Sequence, residues 1–338
     1  MAWFLARRLG GSVLVLLGLS VVTFVLARVI PSNPAALYIG PRARPDDIAR
    51  VAHQLGLDQP LPLQYLSYLR AVLEGDWGSS ISTKRPVLDE ILGRLPASLE
   101  LIAVAMLMAV VVGIVLGVLS ALWQGRPPDV VVRVISIIGV SMPAFWLALL
   151  LQIVFFRQLG LLPLTGRVDA DLRFISPILP VTGLYLVDSL LSGNWTAFVD
   201  AGRHIVLPAI TLAAYPTGLI ARMTRSAMIE VLDQDYIRTA RAFGLGSRLI
   251  VYRLGLRNAL PPVVTVIGLT LAYALTGTFF VEIVFNWPGL GTFAVHSLLN
   301  VDYPAVMGIT IFVAAGYVLI NLVVDIGQAW LDPRVRLA

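Results

Sequence analysis

The chain has 338 residues, of which 58% are hydrophobic and 13% charged, with a mean hydropathy of +0.84. Soluble domains are about 45–50% apolar and about 25% charged, so this composition excludes an ordinary globular protein. No cysteine is present, which rules out both a disulfide framework and a thiolate metal site.

Roughly 20 apolar residues in helix cross about 30 Å of hydrocarbon, and the chain offers six such runs, which predicts an all-α polytopic membrane protein. The first, Leu9 to Ile30, is longer than the apolar core of a signal peptide and has no small-residue cleavage site after it. It is read as a transmembrane helix closing a first segment, 1–30. The polar segment 31–96 follows. Its apolar positions, Ile48, Val51 and Leu55, then Leu63, Leu66, Leu69 and Leu73, fall at helical spacing. Asp46 or Asp47 can cap the first of two short helices, and Gly56 and Pro60 punctuate the gap between them. An amphipathic cap on the outer membrane face or on the helices is expected.

The next spans are Ala97 to Trp123 and Val134 to Phe156. The segment 157–204 is rich in Gly, Pro, Asp and Ser, and its apolar piece Leu179 to Leu191 contains Asp188 beside Pro180 and Gly183. That fits an interfacial helix better than a further span. Ile205 to Arg222, Leu260 to Phe285 and Tyr303 to Leu331 complete the set, with a short tail, 332–338. Pro143, Pro208 and Pro216 interrupt spans and are expected to kink them.

Charge orients this arrangement. The N-terminus, the 124–133 loop, the 222–257 loop and the C-terminus hold thirteen arginines against six acids, whereas the alternate segments hold twelve basic residues against fourteen acidic ones. The positive-inside rule places both termini and the 222–257 loop in the cytoplasm. The basic balance thus reports topology, and no nucleic-acid partner is expected.

The most informative stretch is the loop at 222–258, far longer than a connection between adjacent helices needs. Asp233 and Asp235 sit where carboxylates can cap free N–H groups, Tyr236 to Phe243 spans two helical turns, and Gly244 suits a left-handed stop. On that helix Tyr236, Ala240 and Phe243 share one face, and Arg238 and Arg241 share a neighbouring one. Two turns are unstable alone, so a partner is required.

The runs Arg222-Met223-Thr224-Arg225-Ser226, Asp235-Tyr236-Ile237-Arg238-Thr239-Ala240-Arg241-Ala242-Phe243-Gly244 and Leu256-Arg257-Asn258-Ala259 resemble the coupling loop of bacterial ABC importer permeases. The family is the dipeptide/oligopeptide/nickel one. Gly75-Asp76-Trp77-Gly78, Ser141-Met142-Pro143-Ala144-Phe145-Trp146, Asn286-Trp287-Pro288-Gly289-Leu290-Gly291 and Asp302-Tyr303-Pro304 follow in the family's order. Together they are similar to the first of its two permeases, with 97–331 as the ABC type I importer transmembrane domain. The chain departs from that pattern with Ser32-Asn33-Pro34 after the first helix, Phe243 where a lysine is common, and a doubled Pro261-Pro262.

The resemblance implies residence in the bacterial cytoplasmic membrane, a second homologous permease subunit, two ATPase subunits or domains, an extracytoplasmic solute-binding protein, and peptide-like cargo. It also implies that residues 235–244 dock on the ATPase. The chain itself lacks a phosphate-cradling loop, because its one lysine, Lys84, follows Thr83 and not a glycine. No cofactor is therefore expected on this chain, with ATP and Mg held by the ATPase partners. No metal site is expected from His53, His204 and His296, read as surface or interfacial. The alternative class, an ion-coupled secondary transporter, needs buried midplane acids, whereas Glu100, Glu282 and Asp325 are expected near helix ends. Candidate path-lining residues are Ser141, Trp146, Gln152, Thr211, Tyr215, Thr270, Tyr273 and Thr276.

Overall fold

The structure, a computed structural model, describes residues 2–29, 44–54, 56 and 58–331. Among these, all the extended regular elements are helices: α1 (Ala2–Val29), α2 (Pro45–Gln54), α3 (Leu61–Glu74), α4 (Val87–Leu122), α5 (Pro127–Ser141), α6 (Ala144–Gln158), α7 (Leu172–Ile175), α8 (Tyr185–Leu191), α9 (Trp195–Leu232), α10 (Asp235–Ala242), α11 (Leu249–Val284), α12 (Leu290–Leu299) and α13 (Tyr303–Leu331). The sequence departures at 32–34, the position Leu55 and the tail 332–338 lie outside the described residues.

Five helices, α1, α4, α9, α11 and α13, are long and apolar enough to cross a membrane. The expected span Val134 to Phe156 is instead two helices, α5 and α6, bent by 111° at their junction. A proline pushes the preceding residue out of the helical region, and Met142, ahead of Pro143, is extended at φ −81°, ψ 126°. Counted as one broken span, the pair makes the expected sixth. Pro208 and Pro216 lie inside α9 without ending it.

The chain divides into two units, Met1–Leu95 with Gly289–Val318, and Pro96–Pro288 with Leu319–Ala338. In the first, Phe24 and Ala27 of α1 pack with Tyr65 and Tyr68 of α3 and with Met307 of α13. Of the leucines at helical spacing, expected to face the outer membrane surface or the helices, Leu63, Leu66 and Leu73 are not covered by protein. The face turned to the protein carries the tyrosines, whose rings pack on Phe24 while the Tyr65 hydroxyl meets that of Ser20 at 2.8 Å. A second cluster joins Val87 and Ile91 to Leu290, Phe293, Ala305 and Ile309.

Buried Asp302 ties this unit together. It accepts from Ser80 Oγ at 2.5 Å and Ser82 N–H at 3.0 Å, and it also caps α13 through the Ala305 N–H at 3.3 Å. Trp77 packs edge-on against Phe312, 6.2 Å between centroids. The Gly-Asp-Trp-Gly and Asp-Tyr-Pro runs of the sequence therefore serve one local structure.

In the second unit, α4, α6, α9 and α11 share the largest core, which includes Leu101, Ile205, Leu212, Ile220, Val263 and Trp287. Where helices meet in lipid, small residues let backbones approach. Gly113 and Gly117 of α4 do this against α9: a Cβ at Gly117 would stand 2.5 Å from Thr224 Cβ and 2.7 Å from Ala221 O.

The 157–204 segment of this unit is pinned by buried charge. Arg167 donates to Glu100 at 2.5 Å and to the Gly183 carbonyl at 3.0 Å, with its guanidinium 3.6 Å from the Tyr185 ring centroid. Glu100 was expected near a helix end, but α4 begins ten residues earlier than the apolar run, so Glu100 is its fourteenth residue. Glu282 is likewise buried, accepting from Ser98 Oγ at 2.5 Å. His204, expected at a surface, is buried on α9 with Nδ1 on the Asp200 carbonyl at 2.9 Å. The short helix at Leu179 to Leu191 exists as α8, too short to span. Its Asp188 is fully buried and accepts from the Val181, Thr182 and Gly183 N–H groups and from Thr182 Oγ1.

Candidate functional site

The loop expected at 222–258 is almost entirely helical. At about 1.5 Å per residue, the 38 residues of α9 extend about 57 Å, well beyond the hydrocarbon core, so the run from Arg222 to Leu232 is its protruding end. The chain then breaks for two residues, turns through α10, and re-enters at Leu249. The first eight residues of α11 are wound as π-helix.

The boundaries of α10 match the expectation to one residue, and its stop is as expected, with Gly244 left-handed at φ +74°. Such a conformation is easy only for glycine. Leu245 N–H donates back to the Ala240 carbonyl and Gly244 N–H to that of Arg241, which closes the helix end. Its start differs from expectation. Gln234 is the N-cap, extended and without a side-chain bond to the helix. Asp233 and Asp235 instead both accept from Arg238, each at 3.2 Å. Asp235 still lies in the first turn, where a carboxylate opposes the positive helix end.

The faces of α10 are also distributed otherwise than expected. Ile237 and Ala240 are buried against Ile250 of α11, with Leu232 and Leu254 closing a small core. Ala240 is thus covered by the loop itself. The Tyr236 hydroxyl accepts from Asn258 Nδ2 at 3.0 Å, and that amide also donates to the Leu254 carbonyl. This contact explains why Asn258, in the Leu-Arg-Asn-Ala run, accompanies Tyr236. Turned away from the core are Arg238, Thr239, Arg241, Ala242 and Phe243, the last 81% exposed. The helix thus leaves the aromatic ring of its C-cap residue Phe243 and the guanidiniums of Arg238 and Arg241 uncovered, while its other face is fixed.

A second polar centre was not foreseen. Asp129, at the start of α5, is buried and accepts from Arg225 of α9 through Nε at 2.7 Å and Nη2 at 3.0 Å. Ser120 Oγ at 2.6 Å and Gly125 N–H at 3.0 Å complete its shell. This bidentate pair ties the 123–126 turn to α9, one helix away from α10. The signal was present in the Arg222-to-Ser226 run, which had been assigned to the loop and not to a helix.

The candidate path residues do not share one environment. Gln152 is buried and donates to the Leu164 and Val284 carbonyls. Thr211 and Thr270 are buried and bond back to the Leu207 and Ile267 carbonyls, as hydroxyls in membrane helices do. Ser141, Trp146, Tyr273 and Thr276 are exposed. Half-buried Tyr215 lies against Tyr273, 4.7 Å between centroids. Among the described residues no three His, Cys, Asp or Glu side chains come together as a metal could require.

Residues 113–337 match the family described as binding-protein-dependent transport system inner membrane component, and residues 1–102 match the N-terminal family of the same membrane components. The chain is 47% identical over 331 residues to the probable D,D-dipeptide transport system permease protein DdpB of Escherichia coli (strain K12), covering 98% of this chain and 96% of that one. It is 41% identical over 330 residues to the dipeptide transport system permease protein DppB of Alkalihalophilus pseudofirmus, 98% of each chain. It is also 38% identical over 333 residues, 98% of each chain, to the glutathione transport system permease protein GsiC of Salmonella choleraesuis.

Proposed function

The chain belongs to the family of inner membrane components of binding-protein-dependent transport systems, as a multi-pass permease subunit of an ABC importer, and we propose that α10 is the element through which separate ATPase subunits drive it. The supporting observation is the division of α10 into a face buried against α11 and an open face carrying Arg238, Arg241 and Phe243. Motion imposed on that open face passes through the buried one to α11, and through Leu232 to α9. Both helices reach the core of the second unit, so displacement of α10 can rock the packed helices between two arrangements.

The remaining parts of the reading follow from the same frame. Both termini and α10 are cytoplasmic, ATP and Mg reside on the ATPase partners, a second homologous permease completes the pathway, and a solute-binding protein supplies cargo from outside. Cargo is a di- or oligopeptide or a similar small solute, supported by the peptide and glutathione systems among the relatives. Of the candidate path residues, Ser141, Trp146, Tyr273 and Thr276 are the accessible ones, with Tyr215 behind Tyr273. Ion coupling is not favoured, since the family match and the relatives covering nearly the whole chain are components of binding-protein-dependent and dipeptide transport systems.

The test is reconstitution. The chain, its co-expressed ATPase and permease partners and a binding protein are placed in vesicles, and labelled dipeptide uptake is followed with and without ATP. Uptake that needs ATP and is lost in Phe243→Asp without loss of folded protein supports the reading. Uptake driven by a proton or sodium gradient without ATP overturns it.

A further inference from the structure

A cavity of about 400 Å³ opens beside the Asp129–Arg225 pair, lined by α5 and α9 with one residue, Ser120, from α4. The volume falls in the range of about 300–1,000 Å³ typical of small-molecule pockets. Its floor is apolar backbone and side chain: Gly218 lies so close to α5 that a Cβ there would stand 2.6 Å from the Ser136 carbonyl oxygen and 2.8 Å from Val140. Its rim is cationic. Arg133, Arg222 and Arg225 line it and no acid does.

The three guanidiniums are not equivalent. Arg225 is committed to Asp129 through two hydrogen bonds, and Arg133 approaches the same carboxylate at 3.5 Å. Arg222 is exposed and makes no ion pair or hydrogen bond among the described residues. One carboxylate against three guanidiniums leaves two positive charges over an apolar slot. On the outer side of α5, Val131, Val134, Ile137 and Ile138 are all exposed, a surface suited to hydrocarbon. The slot thus joins an exposed apolar face to an excess of positive charge, with Arg222 at the end of the apolar run of α9.

We propose that this cavity is a binding site for an anionic phospholipid, with the phosphodiester on Arg222 and Arg133 and the upper acyl chain on Ile137, Val140 and Gly218. Guanidinium matches a phosphate bidentately, and basic pockets between membrane helices are suited to anionic headgroups. Assignment to the cytoplasmic leaflet rests on the orientation proposed above, but the site itself does not. A lipid bridging Arg222 of α9 to Arg133 of α5 would hold those two helices together above the bend at Met142–Pro143.

The test uses native mass spectrometry of the full chain, alone and in its co-expressed assembly, after exchange into micelles carrying phosphatidylglycerol or phosphatidylcholine. One phosphatidylglycerol should be retained selectively. Arg222→Gln should weaken that retention about fivefold, the effect of one headgroup-facing charge, and Arg222→Lys should recover part of it. Equal retention by Arg222→Gln, or equal retention of phosphatidylcholine, would overturn the site. So would a thermal shift from inorganic phosphate alone equal to that from the lipid, which would make it a soluble-anion site. Loss of the lipid on assembly would mean that a protein partner covers the cavity, and would also overturn it. The measurement has no sidedness, so an error in the orientation and an error in the site are told apart.

Discussion

Two substitutions one turn apart, at Ala240 within α10 and at its C-cap Phe243, should fail for different reasons. Ala240 is 7% exposed and packed on Ile237 and Ile250. Ala240→Asp places a carboxylate in that small core with no cation beside it, since Arg238 is turned outward to Asp233 and Asp235. An uncompensated buried charge costs about 3–5 kcal/mol, more than a two-turn helix resting on five apolar side chains can absorb, so the loop should open locally while the spans stay folded. Phe243 is 81% exposed, so Phe243→Ala should change folding by no more than about 0.5 kcal/mol. If its ring anchors the helix in a partner cleft, truncation costs about 2 kcal/mol or more, which is roughly thirtyfold in affinity at about 1.4 kcal/mol per decade. Limited trypsin digestion reads the first effect, through cleavage at Arg238 and Arg241. Titration of purified ATPase subunits onto the detergent-solubilised permease reads the second. Ala240→Asp should be cut faster than wild type; Phe243→Ala should be cut like wild type yet bind more weakly. A wild-type digestion pattern for Ala240→Asp would refute the intraloop core, and ATPase affinity within threefold of wild type for Phe243→Ala would refute docking through this ring.

Gly117→Val should lower the thermal midpoint in detergent, because its side chain would collide with Thr224 and with the Ala221 backbone; overpacking of this kind costs about 1–3 kcal/mol, and an unchanged midpoint would show that α4 and α9 separate freely. Removing one partner of the buried Glu100–Arg167 pair should destabilise by about 3–5 kcal/mol, whereas the double variant Glu100→Leu/Arg167→Met should be less damaged than either single one, and simple additivity in a double-mutant cycle would contradict the pairing. Asp188 carries the pH dependence of the 157–204 segment: burial pushes its pKa up, but the hydrogen bonds from Thr182, Gly183 and Val181 outweigh this and hold it below the ordinary carboxylate value. With the folded value depressed, its contribution to stability is present above the unfolded value of about 3.9 and is lost as pH falls through the folded one. Hydrogen-exchange protection factors at residues 177–193, referred to the intrinsic exchange rate at each pH, should accordingly fall on acidification in wild type and be lower at neutral pH, with less acid dependence, in Asp188→Asn.

Much of this fold is written in local pattern. Apolar runs of the right length gave the spans, because the bilayer imposes one requirement on every residue in them. The runs gave the lengths less well: α4 starts at Val87 and α9 ends at Leu232, both past the apolar stretch, since a helix once nucleated continues through polar residues at little cost. That is why Glu100 was misplaced and why the first part of the supposed loop, 222–232, is the end of α9. At Pro143 a kink could be read, but not the 111° turn, which needs Met142 to leave the helical region altogether. The buried ties could not be read at all. Glu100 with Arg167 and Asp129 with Arg225 are 67 and 96 residues apart, and nothing in a spacing pattern reports contacts at that range.

The same distinction explains what was right and wrong about α10. Its extent and its glycine stop follow from neighbours within five residues, and both stand as expected. Which face is open does not follow from neighbours, because helical periodicity groups residues without saying what covers each group. Tyr236, Ala240 and Phe243 do recur at helical intervals, yet the helix buries the stripe through Ile237 and Ala240, where small and branched side chains match Ile250. Ala240 then does not need to be small for a partner's sake. It needs to be small so that α10 can lie on α11. On the proposed coupling role, the residues free to meet a partner are those the core cannot use, Phe243, Arg241 and Arg238, so that transmission and recognition would lie on opposite sides of the same two turns.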